Sequence, residues 1–248
     1  AELASEFRGR SISKELFPLS FGEFVRWSTG QSVGASDGYS SADAAVLRNA
    51  LNDYLLRGGY IAALKLPTAD GMMLMQEYAY RTAAMDVIER YNLRMPQVAV
   101  SFLTRCLASS GRELSVNKIS HELKSRGVST SRETLSSLLS YYEEAYLVFS
   151  LGDLNRALAD NPRSSSKVYS VDPGLFTAFS KAASKEVGQR LETAVFNKLR
   201  RLAPVVRTGA LARLTFEHEK KSHEIDFVMG DALLGDAYRL IQVSVDVT

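Results

Sequence analysis

The hydrophobic repeat of this chain changes period along its length, and that change limits what it can fold into. Leu47, Leu51 and Leu55 recur at helical spacing over Asp43 to Arg57, and Gly58-Gly59 closes the run. Asp70 stands as cap to a second helix with Met75, Tyr78, Thr82, Met85 and Ile88 on one side. Pro96 opens a third through Phe102, Cys106 and Leu107. Val187, Leu191, Val195, Leu199 and Leu202 make a later helical stripe that Pro204 ends. Beyond it the period drops to two. Leu211 to Glu217 and Glu224 to Met229 alternate apolar with polar, Lys220-Lys221-Ser222 reads as a hairpin tip, and Tyr238 to Val245 is a further strand. Helices followed by a hairpin and a strand predict an α+β chain.

Between these regions lies a different signature. Ser115 caps a short helix carrying Ile119 and Leu123, and Gly127 ends it. Thr130 and Glu133 predict a capping box for the next helix, with Leu135, Leu138, Leu139 and Tyr142 on one face. Tyr146-Leu147-Val148-Phe149 is a β-rich run, and Val168 to Val171 a returning strand before the turn Asp172-Pro173-Gly174. Helix, tight turn, helix, strand is the order of a winged helix. Upstream, Pro18 forces Leu16 and Phe17 to be extended, and Ser20 with Glu23 predicts a capping box. Residues 28–43, rich in Gly, Ser, Asp and Gln, read as a loop or linker.

Composition narrows the class. An apolar content of 46% with 23% charged residues suits a globular chain with a sizeable core. No apolar run approaches the roughly 20 residues of a membrane span, no signal peptide is visible, and the chain opens on Ala1 rather than Met. It therefore reads as a portion of a larger protein. Cys106 is the only cysteine, which excludes an internal disulfide framework and thiolate zinc clusters and fits a reducing, cytoplasmic setting. It lies in the stripe Val98, Phe102, Cys106 and reads as a small buried hydrophobe. A net charge of +2 neither demands nor excludes a nucleic-acid partner.

Chemistry-bearing motifs are sparse. No glycine precedes a lysine, so the G-x-x-x-x-G-K-[ST] loop that cradles nucleotide phosphates is absent. Tyr146 to Asp153 mimics a Walker B strand but reads better as a wing strand. His121, His218 and His223 lack metal-ligand spacing, although His218 and His223 flank the hairpin tip. For nucleic acid, the second helix of the winged-helix segment offers Arg132 as its only basic residue, against Glu133, Glu143 and Glu144. The first is more basic, with Lys118, Lys124 and Arg126. The most informative constellation is Glu192 on a helix, Asp226 in the second hairpin arm, and Gln242 and Ser244 two apart on the last strand. A helix carboxylate, a strand Asp and Glu/Gln-x-Lys is how the restriction-endonuclease-like fold collects a divalent cation such as Mg²⁺. Here Ser244 stands where the lysine is expected. A half-buried polar cluster retained as scaffold fits the same residues.

Several stretches together resemble one family. They are Arg8-Gly9-Arg10-Ser11 with Glu15 to Phe24, Tyr54 to Tyr60, Lys167 to Leu175, Gly188 to Glu192, Glu224 to Val228, and Leu240 to Ser244. In this order they resemble prokaryotic AAA+ type P-loop ATPases with a C-terminal winged helix and PD-(D/E)XK domain. The resemblance implies the part after the Walker motifs: 1–27 the tail end of an ATPase core, 28–43 a loop, 44–110 a helical region, 111–172 the winged helix and 173–248 the PD-(D/E)XK-like module. It implies ATP and Mg²⁺ as cofactors of the whole protein, with Arg8 or Arg10 as a sensor or finger arginine. Three functions stay open: a non-catalytic ATPase portion that binds nucleic acid or protein, an Mg²⁺-dependent nuclease with Glu192, Asp226 and Gln242 as ligands, and a winged-helix DNA-binding regulator.

Overall fold

A computed structural model describes residues 15–30, 39–154, 166–181, 186–202, 211–230 and 239–245. It is mixed α+β with two small antiparallel sheets. Helices α1 (Phe21–Thr29), α2 (Ser41–Arg57), α3 (Ile61–Leu64) and α4 (Thr68–Thr82) come first. α4 continues as a π-helical stretch, Ala83–Glu89, before α5 (Pro96–Ala108). Then follow β1 (Arg112–Leu114), α6 (Val116–Ser125), α7 (Arg132–Glu144), β2 (Val148–Leu151) and β3 (Ser166–Ser170). α8 (Pro173–Phe179), α9 (Val187–Leu202), β4 (Leu211–His218), β5 (Lys221–Met229) and β6 (Arg239–Ile241) complete the described elements.

Local chemistry accounts for most boundaries. Ser20 and Glu23 form the reciprocal capping box at α1, and Gly30 ends the helix in the left-handed region at φ 72°. Ser115 caps α6, and Pro96 stands in the first turn of α5. Two caps differ from expectation. α4 starts at Thr68 after Pro67, so Asp70 lies inside its first turn, where its charge favours the helix dipole instead. α7 is capped by Ser131, whose side chain accepts the Thr134 N–H at 3.1 Å, and not by Thr130, whose own hydroxyl is buried. The hairpin tip is Glu219-Lys220, one residue earlier than expected, with both residues at positive φ.

The first sheet has the order β1-β3-β2 and the second β4-β5-β6, all antiparallel. They meet at the Asp153–Arg213 bridge, where the Arg213 N–H donates to the Gly152 carbonyl at 3.0 Å. One large apolar core runs through both, from Met75, Phe102 and Cys106 to Tyr169, Phe196 and Phe227. A smaller cluster, Phe24, Tyr54, Leu55 and Leu64, holds α1 on α2. On α9 the buried face is Arg190, Thr193, Phe196, Asn197 and Leu199, rotated from the aliphatic stripe, and Leu202 is exposed. The polar positions face inward because β3 offers them partners: the Asn197 amide donates to the Ser170 carbonyl at 3.0 Å.

Two joints tie distant segments. At the first, buried Asp172 accepts N–H groups from Gly59 (2.7 Å), Gly174 (2.8 Å) and Leu175 (3.2 Å). This joins the end of α2 to the start of α8. Burial pushes the Asp172 carboxyl up to about 6, against the pull of those three N–H donors. The glycines are there for closeness: a Cβ on Gly174 would sit 2.3 Å from the Arg57 carbonyl oxygen. At the second joint, Arg200 and Arg201 at the end of α9 grip the segment before α1. Arg200 makes a forked pair with Glu15 at 2.9 and 3.1 Å and lies 3.7 Å from the Phe149 ring centroid. Arg201 stacks over Phe17 and donates to the Pro18 carbonyl.

Candidate functional site

The strand pleat sends Lys167 and Tyr169 of β3 to the same face, and one helical turn puts Glu192 and Phe196 together on α9. Tyr169 stacks on Phe196 with centroids 4.1 Å apart and planes 10° apart, and Phe227 of β5 packs against both rings. That aromatic packing fixes where the polar ends meet. The Tyr169 hydroxyl donates to Glu192 Oε1 at 2.7 Å. Lys167 Nζ lies 2.9 Å from the same oxygen, in contact with Glu224 Oε1, and 3.6 Å from Asp226 Oδ1. Glu224 and Asp226 alternate along β5 and so reach the same ammonium.

Further bonds hold these carboxylates from behind. Glu224 Oε2 accepts from Arg213 at 3.2 Å; Arg213, 1% exposed, also pairs with Glu113 of β1. Asp226 Oδ2 accepts the Val243 N–H at 2.8 Å. Burial works against the Lys167 charge, but Glu224 and Glu192 outweigh it and hold the ammonium above the usual lysine range. Burial raises the Glu192 carboxyl in spite of Lys167 and Tyr169, and burial followed by the Glu192 charge raises the Tyr169 phenol. Lys167 thus stays charged and orients the carboxylates around it, while the phenol is held by Glu192.

Of the residues singled out from sequence, Glu192 and Asp226 come together here. Gln242 and Ser244 follow β6 and are exposed, while Val243 between them turns inward and bonds Asp226 through its backbone. Arg8 and Arg10 lie outside the described residues. Lys118, Lys124 and Arg126 lie on and just after α6 with Arg126 exposed and paired to Glu122 at 2.9 Å; Arg132, at the start of α7, is half-buried. His218 and His223 have ring centroids 6.3 Å apart across the hairpin. Among the described residues no group of His, Cys, Asp and Glu is disposed to hold a metal ion, and no helix is long and apolar enough to cross a membrane. Cys106 is buried. Sequence reasoning missed Lys167, Tyr169, Glu224 and Arg213 as site members. The signal available was a cation beside apolar residues in each of two strands, Lys167 before Val168-Tyr169 and Arg213 between Ala212 and Leu214.

Comparison with known sequences places these features in a wider group. An uncharacterized protein of Methanocaldococcus jannaschii, MJ1544, is 30% identical over 98% of this chain and 52% of its own length. An uncharacterized protein of Haemophilus influenzae is 23% identical over 99% of this chain and 56% of its own. The chain therefore spans about half the length of these curated relatives. No solved structure matches. A sequence profile described as a domain of unknown function, DUF8612, covers residues 48–186, from within α2 to the residue before α9. Since that is more than half of its length, the chain belongs to the DUF8612 family.

Proposed function

We propose that this chain is the C-terminal portion of a prokaryotic AAA+ type ATPase, non-catalytic by itself, and that it serves as a docking module for a protein partner. In this reading β1, α6, α7, β2 and β3 form the winged helix. α9 with β4, β5 and β6 form a degenerate PD-(D/E)XK module. The observation that carries it is Lys167. Its ammonium lies against Glu192, Glu224 and Asp226, where a nuclease would gather a divalent cation. A cation supplied by the chain itself satisfies the carboxylates without Mg²⁺ and turns a cutting site into a joint between the two sheets. The ATPase assignment rests on the ordered motif set, and ATP with Mg²⁺ would bind to a separate core of the whole protein.

Protein is favoured over nucleic acid by the surface of α7. Its outward residues include Glu133, Ser136, Ser137, Ser140 and Glu144. Near its C-terminal end Tyr141 stacks on Tyr91 at 3.6 Å, and the Tyr91 hydroxyl donates to Glu144. Such a helix presents few cations to phosphates. The test is incubation of the folded chain with supercoiled and linear DNA in Mg²⁺ or Mn²⁺. No cleavage is expected with either metal; cleavage that Asp226→Ala abolishes would replace this reading with the nuclease one.

A further inference from the structure

We infer that the groove between α1, α2 and α9 seats an amphipathic helix from the half of the whole protein that lies outside this chain, a helix with an acidic residue beside its apolar face. The groove encloses about 320 Å³ and is walled by Phe21 of α1, Leu51 and Tyr54 of α2, and Leu191, Ala194 and Val195 of α9. It lies against the smaller core cluster. The four buried residues of that cluster are flanked by Phe21, Leu51, Leu191 and Ala194, each only partly buried. Apolar surface left half-covered in this way marks an interaction site. The groove is not built to orient a small ligand. The Ser20 and Tyr54 hydroxyls in its lining are engaged by Glu23 and the Leu19 carbonyl. Its unpartnered polar atoms, Asn197 Oδ1 and Arg201 Nε, are sealed from it, so no placed polar group is left to fix a ligand's orientation.

Length, backbone and charge choose the occupant. The matched relatives are covered over only 52% and 56% of their length, so about half of such a protein lies outside the matched chain. On the reading proposed above, on which this inference rests, that half precedes this chain. Arg200 and Arg201 pin Glu15 and Pro18 to α9, and Ser20 and Phe21 just after them line the groove, so chain leading into Glu15 arrives beside it. A tethered segment meets such a groove at high effective concentration. The wall residues all belong to helices, which offer no strand edge for an extended segment to pair with. The occupant therefore satisfies its own backbone, as a helix does, and anchors through apolar side chains at i, i+3 and i+4. At the rim Arg201 is paired with Glu23, whereas exposed Lys198 has no carboxylate partner among the described residues. Lys198 calls for an acidic residue on the incoming helix.

Cysteine labelling tests this, because Cys106, the native thiol of this chain, is buried and silent in the folded state. Ala194→Cys and, from the opposite wall, Leu51→Cys are each made in this chain alone and in the whole protein. Both are labelled with a maleimide, read peptide by peptide by mass spectrometry and normalised to the urea-unfolded protein. Both thiols are expected to react about tenfold more slowly, or slower still, in the whole protein than in the chain alone. Lys198→Glu in the whole protein is expected to restore much of the lost rate. Equal rates in the two lengths overturn the proposal. So does protection in the chain alone that grows with its concentration, which gives the groove to a second copy. Protection that Lys198→Glu leaves intact overturns the acidic helix as occupant. ATP hydrolysis by the whole protein is measured alongside: its absence removes the ATPase reading, whereas loss of the groove contact shows only in the labelling.

Discussion

At the scale of single residues, two buried charges govern how the molecule responds to its medium. Asp172 has a folded pKa of about 6, above its ordinary value, so the folded state binds the proton more tightly than the unfolded chain. Its contribution is fully present below about pH 4 and is lost as pH rises to about 6, by roughly 3 kcal/mol for two pKa units. Asp172→Asn cannot titrate. Denaturant unfolding of both proteins from pH 4 to 7 should show the variant gaining on the parent across that window. At pH 4 the variant should be the weaker by about 1–3 kcal/mol, because its NH₂ group faces one of the N–H donors. Lys167 is the reverse case, a cation whose removal strands its partners. Lys167→Met is expected to lower stability by about 3–5 kcal/mol, as breaking a buried pair does. Urea unfolding and differential scanning fluorimetry of the two proteins measure that loss.

At the scale of elements, what was legible from the sequence was what local chemistry decides. Ser20 with Glu23, Ser115, Pro96 and Gly58 stand where their capping and turn roles put them. The alternation from Leu211 to Met229 did form a hairpin. Less legible were features that depend on partners far along the chain. The buried face of α9 is polar at Thr193 and Asn197 because β3 and the Ser110 hydroxyl meet it there, and no helical period announces that. The candidate site shows the same split. Glu192 and Asp226 were visible as acidic residues in amphipathic elements, but Lys167 belongs to another segment and enters only through tertiary packing. Glycine at the end of α2 is a prediction of this scale. Gly59→Ala would place a Cβ 2.3 Å from the Leu19 carbonyl oxygen. Backbone cannot yield as a side chain does, so a loss of about 1–3 kcal/mol or more is expected in urea unfolding. The α6–α7 pair makes another. Duplex DNA affinity should be low, with a shallow dependence on salt, in a fluorescence anisotropy titration from about 50 to 200 mM salt. A steep slope would restore the DNA-binding regulator.

At the scale of the whole molecule, buried charge is placed where elements from distant parts of the sequence meet. Lys167 links β3, α9 and β5; Arg213 links β4, β5 and β1; Asp172 links α2 and α8. Each such joint leaves a lone charge if it opens, which favours one relative placement of the parts over a range of similar ones. The docking role proposed above would gain from that rigidity, since a partner would meet a surface already in its final shape.

The grip of Arg200 and Arg201 on Glu15 and Pro18 has a consequence for biosynthesis. The Arg200–Glu15 partners are 185 positions apart. At about 5–20 residues per second, a ribosome needs roughly 10–40 s to make the second after the first. Throughout that interval Phe17 and Glu15 have left the point of synthesis without the arginines that hold them, and α2 waits for α9 to pack on it. The segment made early in this stretch is therefore among the last to be secured, and a nascent chain halted before Arg200 leaves Phe17 without the two guanidinium groups that cover it.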